Sequence, residues 1–449
     1  MSYRVALTGD AILNTRVSSC ADREVLDVLD LLRGADVAYG HVEIPLHDFA
    51  TDDTFPSAEG ALSWMCAPTV TAEELRWCGL DIVSTASNHS FDFSFGGLLS
   101  TLDALDAVDL PHAGTGADLG AARAPAFVDT AVARVGLVSA VSSFPMAARA
   151  GAARVDMRGR PGVNGLRHHH VVDPSTATEL VDLYGRLGWW VTRAGDELAV
   201  NPPGLHNSLL RFVVDDRVEG ITTRCDEDDL AGNVQAIRHA ASAADFVIAH
   251  LHSHEWEATD GRLGTSPAFV REYAHAAVEA GASVVVVQGS HAPFRGIEVH
   301  RGVPILHDPG PLFRQGRRNA QPQDFYVRWG NGPAARAADA GILEAFEARA
   351  GVLGGGPGTH EVLHPREGVA HEPGFFVPVC EVDDHHRVTA IAIHPASWSG
   401  APTKAASGFP RRLTGTRATA VLEHLRALSA PFGTEVQLDG DTGRIEVGR

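Results

Sequence analysis

Acidic, amide and imidazole side chains recur at one kind of place in this sequence, directly after short apolar runs. Asp10 follows Arg4–Thr8, Glu43 follows Asp36–Val42, Asn88 and His89 follow Leu80–Thr85, His252 and His254 close the run that begins at Phe246, and His291 follows Ala282–Val287. Carboxylate oxygens, an amide oxygen and imidazoles form a mixed donor set that suits one or two divalent ions. The imidazoles favour Mn, Fe or Zn over Mg. A divalent ion brings the pKa of bound water towards roughly 7, so the chemistry indicated is metal-assisted hydrolysis. Asp10, Glu43, Asn88, His252 and His291 are the expected ligands. His89, braced by Asp92, is the expected group that protonates a leaving group or stabilises developing charge.

His250, His252 and His254 alternate at period two, so an extended strand turns all three to one side. On a buried face such a row is costly without partners, and a metal or an anion is a natural one. The alternative is an edge strand with its histidines towards solvent. Arg160, Asn164 and Arg167 offer planar and amide donors to an anionic substrate, or belong to an ordinary surface loop. His168-His169-His170 reads as a solvated histidine run in a polar loop.

The elements that must position these residues alternate. Helical spacing marks Arg23–Leu32, Thr71–Cys78, Leu98–Ala107, Asn233–Ala244, Ala268–Ala280 and Ala418–Leu428. Between them the short apolar runs read as strands, which predicts βαβ units on a buried sheet. Phe127–Thr130 with Arg134–Ser139 reads as a hairpin on that same sheet, and Gly296–His300 with Val303–Leu306 as another. Residues 144–229 look irregular, Gln315–Gln323 looks like a loop, and Phe375–Val382 and Val388–His394 pair as late strands. Ligands of open α/β sheets bind outside the carboxyl ends of the strands, where the candidate residues fall.

Composition limits the alternatives. In 449 residues, 44% are hydrophobic, enough for a sizeable core rather than a disordered chain. Lys+Arg is 37 against 56 Asp+Glu, a net −19 that repels phosphate backbones, so a nucleic-acid partner is not expected. The longest apolar runs, such as Ser283–Val287, are strand-sized, so no membrane span is expected. The five cysteines are scattered without a CxxC, and the N-terminus lacks the pattern of a signal peptide; both suit a cytoplasmic protein.

The ordered set of motifs resembles the CapA family of poly-γ-glutamate capsule synthesis proteins, whose domain is similar to the calcineurin-like metallophosphoesterases. The matching stretches are Leu7-Thr8-Gly9-Asp10, His41-Val42-Glu43, Asn88-His89-Ser90-Phe91-Asp92, His252-Ser253-His254-Glu255, Gln288-Gly289-Ser290-His291 and Gly296-Ile297-Glu298. The resemblance spans roughly residues 3–330. It implies a metallophosphoesterase-like layered α/β sandwich over 1–330 with the irregular segment inserted at about 144–229, and a C-terminal extension, 331–449, packing on the same domain. His41 stands where the family has Asn and can still ligate or hydrogen-bond. With His254 it is counted among the substrate-binding residues, and His254 is also a possible further ligand. The implied activity is hydrolysis of a phosphoester or a γ-glutamyl-type amide in an anionic small-molecule or peptide substrate. The alternative is a non-catalytic accessory protein that keeps a partial metal site, favoured by the altered motifs at His41 and around His291.

Overall fold

The computed structural model describes residues 2–59, 63–204, 210–257, 265–290, 294–316, 321–328 and 374–448. Two large sheets lie face to face. Across the first, the order is Gln437–Asp439, Thr442–Glu446, Val388–Ser397, Phe375–Val382, Tyr3–Ile12, Val37–His41, Ile82–Ser84 and His112–Ala113. Across the second it is Ile297–His300, Val303–Leu306, Val284–Gln288, Phe246–His252, Arg134–Val141 and Ala126–Asp129. Tyr3–Ile12, Val37–His41 and Ile82–Ser84 run parallel, as do Arg134–Val141, Phe246–His252 and Val284–Gln288.

Period two decides what each strand contributes. Phe246, Ile248, Val284, Val286, Val135 and Leu137 face inward and share one buried cluster with Val5, Leu7, Val37, Tyr39 and Ile82 of the first sheet. The intervening residues Val247, Ala249, Leu251, Val285 and Val287 pack outward on the helices Glu227–Ala243 and Ala268–Glu279. On the far side of the first sheet, Ala6 and Ala38 pack on the helices Arg23–Arg33 and Thr71–Cys78. The result is the layered α/β architecture expected from the sequence, with a helical layer outside each sheet.

Three expectations are corrected. The hairpin Ala126–Asp129 with Arg134–Val141 joins the second sheet, because Arg134–Val141 pairs in register with Phe246–His252. Hydrophobic alternation marks a strand but does not choose its neighbour. The segment read as irregular holds a five-stranded sheet of its own, Trp190–Ala194, Glu197–Asn201, Leu210–Val214, His168–Val172 and Ile221–Cys225, with the helix Pro174–Arg186. Its edge strand Trp190–Ala194 is largely exposed and its other strands are mostly half-buried or buried, so the sheet lacks the strong apolar alternation that a deep core imposes. The run His168-His169-His170 is therefore strand rather than loop: His168 stacks on Phe269 at 4.2 Å and His169 Nε2 lies 3.2 Å from Asp226. The stretch expected as a loop, Gln315–Gln323, is irregular where it is described, at 315–316 and 321–322, between a short strand, Phe313–Arg314, parallel to the end of Tyr3–Ile12, and the helix Gln323–Arg328.

Candidate metal centre

The inner faces turn polar at the carboxyl ends of the parallel strands. On Phe246–His252 the inward series runs Phe246, Ile248, His250, His252; on Val37–His41 it runs Val37, Tyr39, His41; on Arg134–Val141, Ser139 succeeds Val135 and Leu137. The same parity that builds the apolar layer thus delivers imidazoles to one rim of it. Phe246–His252 is a central strand, so the solvent-facing alternative for its histidines is excluded. His250 and His252 are both 0% exposed.

Asp10 sits opposite His41 in the parallel ladder, after an irregularity in register between Leu7 and Asp10. Its Oδ1 lies 3.5 Å from His252 Nδ1 and 3.9 Å from His41 Nε2. His252 Nε2 is 3.0 Å from Asn88 Oδ1 and 3.2 Å from His254 Nε2. Asp10, His41 and His252 can each place one ligand atom within 4.8 Å of the others, and so can Glu43, His252 and His254. His252 belongs to both groups. Ligand atoms bound at about 2.1 Å from one ion lie at most about 4.2 Å apart, so closure by a few tenths of an ångström suffices. Two buried carboxylates beside three imidazoles form a mixed oxygen and nitrogen donor set that fits a divalent ion.

The surroundings fix ring orientation. His41 Nδ1 meets Ser84 Oγ at 2.8 Å, and Ser84 Oγ meets Tyr39 Oη at 2.7 Å, which turns His41 Nε2 towards Asp10. His250 Nδ1 meets Ser139 Oγ at 2.9 Å, and its ring lies 4.7 Å from that of His41. Burial, and then the neighbouring His41 and His252, hold His250 well below the ordinary histidine pKa, so its ring is neutral. The Glu43 loop and the Asn88–His89 turn are tied together by serines. Ser87 Oγ donates to Glu43 O at 2.5 Å, and Ser90 Oγ donates to Thr85 O at 2.6 Å.

His89 Nδ1 meets Asp92 Oδ2 at 2.6 Å, and the same carboxylate oxygen accepts the Met65 N–H at 2.7 Å. Burial pushes the Asp92 carboxyl above its ordinary value, and His89 pulls it back. The bond leaves Nε2 as the nitrogen of His89 that can face a reacting group.

Several residues that shape the rim escaped the sequence reading. Asp308 follows the strand Val303–Leu306 and accepts from Ser290 N–H and Oγ at 2.8 and 2.6 Å. Its loop presses on the start of the site: a Cβ on Gly9 would lie 2.1 Å from Gly310 O. Burial and the charge of Asp10 raise the Asp308 pKa. Glu255 Oε2 accepts Ser142, Ser143 and Ser253 hydroxyls at 2.8, 2.6 and 2.7 Å, and Ser143 Oγ accepts the His254 N–H at 2.7 Å. For Asp308 the available signal was its place after a strand; Ser253, Glu255 and Ser290 stood inside matched stretches without an assigned role, and for Ser142 and Ser143 there was no signal.

Other expected residues lie elsewhere. Asn164 is buried and bonded to Ser139 O, Asn233 and Arg123. Arg167 is committed to Asp226 and Asp229, at 2.9 and 2.7 Å. Arg160 is exposed and donates to Arg149 O. His291 falls outside the described residues. A further grouping, His275, Glu298 and His300, has its two rings stacked 4.0 Å apart at 8°. Nearly parallel rings cannot aim their in-plane lone pairs at one ion.

Among known proteins, a family model described as bacterial capsule synthesis protein PGA_cap matches residues 4–314. Two uncharacterized proteins of Sinorhizobium fredii are each 27% identical over 460 aligned positions, covering 99% of this chain and 93% of the relative. A probable polyglutamine synthesis accessory protein of Mycobacterium tuberculosis is 30% identical over 248 positions, 55% of this chain and 47% of that protein.

Proposed function

This chain belongs to the bacterial capsule synthesis protein family PGA_cap, and from that premise we propose that it is a metal-dependent hydrolase acting on a phosphoester or a γ-glutamyl-type amide in an anionic substrate. The observation that carries this reading is the convergence of Asp10, His41, Glu43, Asn88, His252 and His254, drawn from both sheets, around His252. Asp10, Glu43, His41, His252 and His254, with the Asn88 amide oxygen, would hold one or two ions, Asp10 and His41 on the Nδ1 side of His252 and Asn88 and His254 on its Nε2 side. A divalent ion there supplies a bound water of near-neutral pKa and polarises the scissile bond.

The protein's own residues do the remainder. Asp10 and Glu43 supply negative charge that keeps the ion, and Ser84 and Tyr39 hold His41 to it. Asp92 orients His89, whose Nε2 hands a proton to the leaving atom: an alkoxide oxygen in a phosphoester, the amide nitrogen in a γ-glutamyl bond. Both reactions pass through an anionic transition state, which is why one site chemistry serves either bond.

A second reading has one observation in its favour. The relative from M. tuberculosis is named a synthesis accessory protein, and a non-catalytic role for this chain would use the same centre to bind a polyanion. One experiment separates them. Protein purified with metal supplied is analysed for stoichiometric metal, then assayed with Mn or Zn on phosphoesters and γ-glutamyl amides beside His89→Ala. Turnover lost in His89→Ala supports the hydrolase; bound substrate analogue without turnover in either protein supports the accessory role.

A further inference from the structure

Gln288 ends the strand Val284–Gln288 and is 0% exposed. Among the described residues, neither its Oε1 nor its Nε2 has a hydrogen-bond partner. A primary amide wholly removed from water with both ends unsatisfied is among the costlier arrangements a core can hold, and native proteins rarely keep one without a reason. Position supplies the reason. Val284 and Val286 face the inter-sheet layer, so Gln288, two residues on, continues the inward series as His252 does on the neighbouring strand. His252 and Gln288 are register partners in the parallel ladder, on strands about 4.8 Å apart. The chain then turns at Gly289, with φ +114. A Cβ there would lie 3.0 Å from the His252 ring, so Gly289 lets the backbone pass close beside the imidazole. The rim already collects Asp10 and Glu43 as two negative charges and uses neutral donors for the rest.

We propose that Gln288 is a further residue of the metal centre: Oε1 is a neutral oxygen donor to the divalent ion, and Nε2 donates to the anion the ion carries. The inference rests on the metal-centre reading above. An amide adds a hard oxygen without adding charge, which suits a site whose two carboxylates already balance one divalent ion. It also explains why an apolar residue of similar shape does not occupy this strand end.

The test compares wild type with Gln288→Met, a substitution of similar volume that removes both polar atoms. Mn and Zn affinities are measured by titration calorimetry, and thermal unfolding is followed without metal. The expected result is a metal Kd at least 10-fold weaker in Gln288→Met, with an apo Tm equal to or above that of wild type, because an unsatisfied amide has been removed. Metal affinity within twofold of wild type overturns the proposal whichever way Tm moves. A lower apo Tm also overturns it, since the amide then has a structural partner. Gln288→Glu is the second variant, in case Gln288→Met does not fold: a carboxylate at a metal ligand position tightens Mn binding and steepens its dependence on pH, and an unchanged isotherm overturns the assignment. If wild type itself binds no metal, the proposed function fails. Equal binding by wild type and Gln288→Met removes Gln288 alone.

Discussion

At the scale of single residues, ligand and proton carrier are separable. Asp10 and His252 meet each other across the gap between the sheets, whereas the His89 ring is bonded through Nδ1 to Asp92. His89→Ala is therefore expected to keep stoichiometric metal while turnover on the true substrate falls about 10²–10⁴-fold. Asp10→Ala and His252→Ala are expected to lose the metal itself. Elemental analysis beside the assay checks both, and full activity in His89→Ala would remove its assigned role. The residues named here were legible because acids, amides and histidines after strands are unusual enough to stand out. Ser84, Ser139 and Ser143 were not, since a serine near a strand end looks the same whether it orients an imidazole or faces water.

At the scale of elements, the inserted sheet is fastened to the main body by a charged knot. Asp229, in the first turn of Glu227–Ala243, is 1% exposed and receives Arg123, Arg149 and Arg167 at 3.1, 2.7 and 2.7 Å. Burial raises its carboxyl, but the bonds from Arg167 and the charges of Arg149 and Arg167 outweigh it, so Asp229 titrates below the ordinary value. A carboxyl depressed in the folded state contributes stability above its unfolded pKa of about 3.9, and the contribution fades as pH falls through the lower folded value. Asp229→Asn is expected to cost about 2–3 kcal/mol at pH 7, discounted because the arginines are partly exposed. Urea unfolding from pH 7 to pH 3 should show that gap closing below about pH 4; a gap independent of pH would mean the charge is not what matters. This knot engages Arg167, which reads in the sequence, with Arg160 and Asn164, as a donor to an anionic substrate or as part of a surface loop. Sequence alone offers no way to tell an arginine aimed at a substrate from one aimed at a distant aspartate.

At the scale of the whole molecule, the candidate ligands come from both sheets and the loops that leave them: Asp10 and His41 in the first with Glu43 just beyond it, His252 in the second with His254 just beyond it. An ion held there ties the two halves of the sandwich, so it stabilises the native state alone. Chelation is expected to lower Tm and Mn to restore it, a hundredfold excess over Kd adding about 2.7 kcal/mol to the unfolding free energy. Asp10→Ala should be indifferent to both treatments; an equal response in that variant would place the stabilising ion elsewhere. The described residues contain no helix long and apolar enough to cross a membrane, in keeping with the strand-sized apolar runs. The sequence by itself determined the alternation of strands and helices and the places where strands end in donors, because burial imposes a period on the chain and breaks in that period are visible in one dimension. Only the tertiary structure decided which strand lies beside which. That pairing moved the hairpin at Arg134–Val141 to the second sheet, set Gln288 against His252 and brought Asp308 to Asp10. It depends on contacts between residues far apart in the chain, and no local pattern records them.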